Sequence, residues 1–317
     1  MVEALAGDGY AVRAAVRRPP AVPFPAGVEV MQHRDLAHAI NWLPLLKAVD
    51  IVVHLAGVET DDGRERSADY YDRIHRRATA RLASAAARSG VRQFVYVSSI
   101  RAQNGPVADH ALTERDADAP TDALGRSKLA AEAAVRSAGV PFTILRPVPI
   151  YGPGMKGGIA RLFRAALSRW PLPAKDFLNR RSFLGIDNFV SALRFVLVAP
   201  AARGQTFVVA DPGIPPALCD VILTLRQAQG RRRPLIMRVP KVYFEIALYM
   251  TLHGDEWRRL SGNLRVNPAK LLAAGWRPVY DTRAGLTMTV QKIEALARSV
   301  TPPVASPALD RPQPKPG

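Results

Sequence analysis

A chain of 317 residues that is 48% hydrophobic and 22% charged is long enough to bury one large α/β domain with a smaller lobe, and no stretch reaches the run of about 18 apolar residues that a membrane span needs. The formal net charge of +17 raises nucleic acid as a partner, but only 8 of the 44 basic residues are lysine and the arginines are scattered along the chain, so a solvated arginine-rich surface is the simpler reading and no nucleic acid is expected. A single cysteine, Cys219, permits no internal disulfide and fits a reducing cytoplasm, and the first residues carry no export signal.

Taken in chain order, "MVEALAGDGYAVRAAVRR" reads as a helix that ends near Gly9 and a strand over 10–17, the second half of a dinucleotide-binding βαβ unit. The leading strand and its glycine-rich turn are absent upstream. Because that strand is the centre of such a sheet, its loss would leave buried backbone groups unpaired, and Met1 is expected not to be the true start. Further β-branched runs follow at 27–32, 50–57, 92–99 and 141–148, with helix-period segments between them at 40–48, 67–89 and 123–138. This alternation predicts a doubly wound parallel sheet of Rossmann type over residues 1–150, covered by helices on both faces.

Past residue 150 the pattern becomes helical and proline-punctuated, which predicts a smaller, mostly helical substrate lobe over 151–300, with one strand, 204–211, returning to the sheet. The apolar stretch 242–252 reads as a buried helix and the basic run 230–234 as a surface turn. The proline-rich end, 301–317, reads as a disordered tail.

Six segments in order, "VDIVVHLAG", "FVYVSSI", "GRSKLAAE", "ILRPVPIYGPG", "NRRSFLGIDNFVSAL" and "GNLRVNPAKLLAAGWRP", resemble the extended short-chain dehydrogenase/reductases, in the NAD-dependent epimerase/dehydratase group. Within that group the resemblance is to UDP-glucose 4-epimerases and UDP-4-keto-sugar reductases. It implies hydride transfer between a sugar carbon and a nicotinamide, coupled to proton transfer at the sugar oxygen by a tyrosine whose pKa a lysine four residues on lowers.

Carried over residue by residue, the resemblance places the catalytic serine at Ser99 and the lysine at Lys128, and puts Leu124 where the tyrosine belongs. His75 stands where the family has an asparagine. On the cofactor side it implies Asp35 and Leu36 beside adenine, His54, Leu55, Ala56 and Gly57 in the turn passing the phosphates and ribose, Lys128 as a further cofactor-binding residue, and Pro147 near the nicotinamide. Arg17 and Arg18 close the strand over 10–17, the second strand of the βαβ unit, where an acidic residue suits NAD and an arginine suits the 2′-phosphate of NADP, so the cofactor is NAD or NADP with a lean toward NADP. On the substrate side it implies Ser99, Tyr151, Asn179 and Arg181, the last facing the diphosphate of a nucleotide sugar, with Arg265 near the same cleft.

Each position also has a plain structural explanation: a strand-end cap for Ser99, a solvated helix face for Lys128 and His75, a surface ion pair for Arg181. Leucine at 124 has no proton to give, so catalysis is expected to be impaired, with Tyr96, Tyr151, His75 or water as substitute acids. The competing reading is a non-catalytic dinucleotide-binding sensor or scaffold. The resemblance further implies a homodimer built through the helices near 67–89 and 123–138.

Overall fold

The computed structural model describes residues 1–300 apart from 21, 58–65, 173–174 and 231–261. The apolar stretch 242–252, the basic run beyond Gly230 and the proline-rich end therefore lie outside the described residues. Helix α1 (Val2–Gly7) is closed by Gly9, whose φ of 85° belongs to the left-handed region, and leads into β1 (Arg13–Val16). Then come β2 (Glu29–Gln32), the single turn α2 (Leu43–Leu46) and β3 (Ile51–His54). One long helix follows in three parts: α3 (Ala68–Tyr71), a π-helical segment Asp72–Arg77, and α4 (Ala78–Arg88).

Strand β4 (Gln93–Val97) leads through a 3₁₀ turn, Ile100–Ala102, to the short β5 (Ala111–Leu112) and to helix α5 (Ala123–Ser137). Next are β6 (Phe142–Pro147), β7 (Ile150–Tyr151), α6 (Gly157–Leu167), β8 (Leu184–Gly185), α7 (Ile186–Val198), β9 (Gln205–Val209), α8 (Leu218–Ala228) and β10 (Arg265–Val266). A last long helix spans Thr282–Val300.

The strands β3, β4, β6 and β9 form one sheet in that order, every neighbour parallel, with His54 opposite Tyr96 and Pro147 opposite Val209. Strands β1 and β2 pair in parallel as a separate ribbon, and among the described residues no strand is hydrogen-bonded between β1 and β3. Alternation along the strands fixes the layers. Phe94 and Tyr96 of β4 share a core with Leu82 and Ala86 of α4 and Ala131 and Val135 of α5. Val95 and Val97, pointing the other way, join Phe189, Leu193 and Val196 of α7.

The sheet thus has helices on both faces, which is why its strands read as continuous apolar runs. Each fully buried side chain of this size contributes about 1.5–3 kcal/mol. Another core forms away from the sheet, where Phe163 of α6, Ile222 and Leu225 of α8 and Leu286 and Val290 of the last helix pack together with Tyr151. No described helix is long and apolar enough to cross a membrane.

Candidate active site

The site is assembled at the carboxyl ends of β3 and β4, the end of a parallel sheet where ligands bind. At the end of β3, His54 is fully enclosed. Its Nε2 lies 2.9 Å from Thr79 Oγ1 and its ring stacks on Tyr96, while burial, with Lys128 nearby, lowers its pKa to about 3. His54 is therefore a neutral structural group. As the pH drops below the ordinary histidine value near 6.5 the unfolded chain takes up a proton that the fold refuses, so stability falls from there toward pH 3. Denaturant melts at pH 7 and pH 4.5 are expected to show this loss, up to about 1.4 kcal/mol per pH unit, and to show a smaller one in His54→Asn.

Beyond His54 the chain runs exposed through Leu55, Ala56 and Gly57. A Cβ on Gly57 would lie 3.1 Å from His75 Nε2 and 3.2 Å from Lys128 Nζ, closer than most side chains tolerate. Glycine is thus the residue that lets this turn meet both side chains. Gly57→Val is expected to destabilise the fold by about 1–3 kcal/mol, read by urea denaturation, because overpacking of this order displaces one or both partners.

At the end of β4, Ser99 caps the 3₁₀ turn, its Oγ accepting from Arg101 N at 3.2 Å. Helix α5 is pressed against that turn. Gly125 makes the approach possible, since a Cβ there would sit 2.2 Å from the Arg101 carbonyl oxygen. Asp122 locks the arrangement: Oδ1 accepts from Gly125 N at 2.8 Å as the helix cap, and Oδ2 holds the Arg101 guanidinium. Leu124, one helical turn ahead of Lys128, is 4% exposed, and Lys128 is 7% exposed with Nζ donating to Val97 O at 3.2 Å.

His75 enters from the π-helical segment, a distortion often found at functional sites, and stacks on Tyr71. Its Nδ1 lies 2.9 Å from Ser127 Oγ, and Ser127 donates its hydroxyl proton to Leu124 O at 2.7 Å. Since Ser127 has one proton and that proton is used, Nδ1 must donate, and in neutral His75 the lone pair of Nε2 faces Gly57. The surface position that the sequence allowed for His75 and Lys128 is replaced by burial, because α5 folds over the π-helical segment.

Behind the site Ser98 donates to Glu132 at 2.6 Å, and Glu132, fully buried, holds Arg146 Nε at 2.9 Å and Nη2 at 2.7 Å. Asp118 takes the other side of the same guanidinium at 2.6 and 3.0 Å. Sequence reasoning missed this network and Ser127, although Lys128 and Glu132 stand at a helical i,i+4 spacing within "GRSKLAAE".

The other expected residues are more dispersed. Arg17 pairs with Asp35 at 2.7 Å, and Leu36 packs against the core shared by α4 and α5. Pro147 ends β6 and is buried. Tyr151 lies inside the core formed by α6, α8 and the last helix, with its hydroxyl donating to Asp211 at 2.8 Å, which gives it a packing role where a sugar contact was expected. Burial, and then the Asp211 charge, raise its pKa, so it makes a poor acid at neutral pH. Tyr96 is buried among α4 and α5 residues and its pKa is likewise raised, first by burial and then by Glu132.

Asn179 donates to Gly262 O at 3.3 Å. Arg181, 4% exposed, donates to the carbonyls of Pro106 and Gly262, and burial lowers its pKa to about 10. No carboxylate pairs with it among the described residues. Arg265, on β10, donates to Asp109 O at 2.7 Å.

A family model, the NAD dependent epimerase/dehydratase family, matches residues 1–210, and the chain belongs to that family. Among characterised proteins it is similar to the UDP-glucose 4-epimerase of Vibrio cholerae, 29% identical over 292 residues covering 89% of this chain and 86% of the relative. It is also 30% identical over 194 residues to the ceramide reductase of Caulobacter vibrioides, covering 61% of this chain and 55% of that one. The solved structure of MoeE5 in complex with UDP-glucuronic acid and NAD superposes with a TM-score of 0.71 at 23% identity, over 92% of this chain and 93% of that one. This likeness shows the shared parallel α/β fold.

Proposed function

We propose that this protein is a nicotinamide-dinucleotide-dependent epimerase or 4-keto reductase of UDP-sugars whose proton-transfer step is impaired by Leu124. The observation that carries the reading is the convergence of Gly57, His75 and Lys128 beside the turn of Ser99, at the carboxyl ends of two adjacent parallel strands. The residues fit a dinucleotide in kind. Gly57 leaves open the space that a Cβ would fill, and Lys128 brings a buried cation beside it for ribose hydroxyls.

The bound nicotinamide supplies the hydride acceptor or donor. Ser99 would hold the reacting sugar oxygen, Lys128 would orient the cofactor ribose, and Arg181 would meet the diphosphate as a buried guanidinium without a carboxylate of its own. Of the two dinucleotides, Arg17 and Arg18 at the end of β1 favour NADP. A homodimer through α4 and α5 belongs to the same reading.

The test is addition of NADH or NADPH with a UDP-4-keto sugar, following loss of the reduced nicotinamide. Slow oxidation is expected, together with a rise in melting temperature on adding cofactor. A rise without any turnover favours the second reading, a non-catalytic dinucleotide-binding sensor or scaffold, which the apolar side chain of Leu124 supports. Failure of both cofactors to raise the melting temperature overturns both readings.

A further inference from the structure

Helix α6 and the residues after it carry a charge pattern that the candidate site does not use. From 156 to 175 the chain has five cations, Lys156, Arg161, Arg164, Arg169 and Lys175, and the first carboxylate to follow them is Asp176. Ile159, Leu162, Phe163 and Ala166 turn one side of α6 into the core shared with α8, which leaves Arg164 on the opposite, exposed side. Lys156, Arg169 and Lys175 are exposed as well, and with Arg164 they make no ion pair among the described residues. Surface arginines elsewhere, such as Arg13, Arg76 and Arg194, are each matched to a carboxylate.

Two large apolar side chains stand among these cations. Trp170 is 78% exposed and Leu178 70%. Arg226, near the end of α8, donates to Trp170 O at 2.6 Å, and Cys219 N, near its start, donates to Phe177 O at 3.1 Å, so the two apolar residues are held about 10 Å apart along that helix. Arg180, two residues beyond Leu178 and bridged to Ala217, is exposed too. Unpaired cations ask for an anionic partner. A nucleic acid would satisfy the cations and could stack on Trp170, but it offers nothing to an aliphatic side chain such as Leu178. A bilayer interface takes both, because its headgroups carry the phosphates and the layer beneath accepts apolar side chains and suits the amphipathic ring of tryptophan.

We propose that this face is a peripheral docking surface for an anionic lipid bilayer. Trp170 and Leu178 enter the headgroup layer, and Lys156, Arg164, Arg169 and Lys175 meet the lipid phosphates. Shallow insertion of two side chains backed by cations holds a protein on a membrane without a spanning helix. None of these residues belongs to the candidate active site, so the proposal stands apart from the dinucleotide reading.

Sedimentation of the full chain with vesicles of phosphatidylglycerol and phosphatidylcholine, and with vesicles of phosphatidylcholine alone, tests this. Binding to the anionic vesicles at low salt is expected to be at least about tenfold tighter than to the neutral ones and to weaken as salt is raised. Arg164→Ala/Arg169→Ala should weaken it about 30-fold, the usual worth of two basic residues at an anionic surface. Trp170→Ala/Leu178→Ser should weaken it about tenfold. Brominated acyl chains should quench the fluorescence of the parent, and Trp170→Ala should remove that quenching, since Trp42 and Trp276 are buried. The substituted side chains are exposed or nearly so, and the variants are expected to melt as the parent does.

Failure to bind anionic vesicles overturns the proposal. Binding that both double variants leave unchanged also overturns it, because the contact would then lie elsewhere, and so does quenching that survives Trp170→Ala. Tight binding of a single-stranded oligonucleotide without vesicle binding overturns it in favour of nucleic acid.

Discussion

Leu124→Tyr is expected to raise turnover of a UDP-4-keto sugar by about 100-fold to 10,000-fold, the usual worth of a positioned general acid or base. The scaffold for a phenol is in place. Asp122 caps the helix, Gly125 presses it against the turn of Ser99, and Lys128 sits on the same helical face four residues after position 124. A buried ammonium at that spacing lowers the pKa of a phenol from about 10, and the bell in the pH–rate profile should reveal the new group.

Adding Lys128→Met to Leu124→Tyr should remove most of the gain while leaving the melting temperature within a few degrees. Equal rates for the parent and Leu124→Tyr would mean that another group already does the work, and His75, with its Nε2 lone pair toward Gly57, is then the first to substitute.

Glu132→Ala is expected to cost about 3–5 kcal/mol of folding stability, the largest loss for one residue outside the apolar cores. Burial by itself would lower the pKa of Arg146, but the carboxylates of Glu132 and Asp118 overcome that and raise it, so the guanidinium remains charged inside the protein. Removing Glu132 leaves that charge with Asp118 alone and also strips partners from Ser98 and Arg136. Urea denaturation measures the effect. Glu132→Gln, which keeps the shape and loses the charge, should fall between parent and alanine variant, and a loss below about 1 kcal/mol for Glu132→Ala would show that Asp118 suffices.

Much of the sheet was legible in the chain itself. Runs such as "DIVVHLAG" and "FVYVSS" are apolar on both faces because α4 and α5 cover one side and α7 the other, and the strands fall inside the expected segments. Helix α5 matches the predicted 123–138 almost residue for residue, since Asp122 signals its start in the sequence and caps it in the structure. The predicted helix 40–48 shrinks to Leu43–Leu46, with Pro44 near its first position and Lys47 already extended.

The candidate site was harder to read. The lysine and serine positions follow from motifs. The contacts that assemble the site are distant in sequence: Lys128 reaches the Val97 carbonyl 31 residues away, and His75 is 52 residues from Ser127. Tyr151 shows the reverse case, where a motif position read as a ligand contact is claimed by the core, because Asp211 arrives from just beyond β9, 60 residues later.

By itself, the sequence determined the parallel α/β class, the family, and the absence of a phenol at position 124, because periodicity, caps and motifs are local properties that survive without coordinates. Only the tertiary structure decided that His75 and Lys128 are buried together at Gly57, that Glu132 anchors a charged network, and that Asp35 is neutralised by Arg17. Burial and pairing are set by which elements meet, and that meeting is fixed by how the sheet and its helices pack.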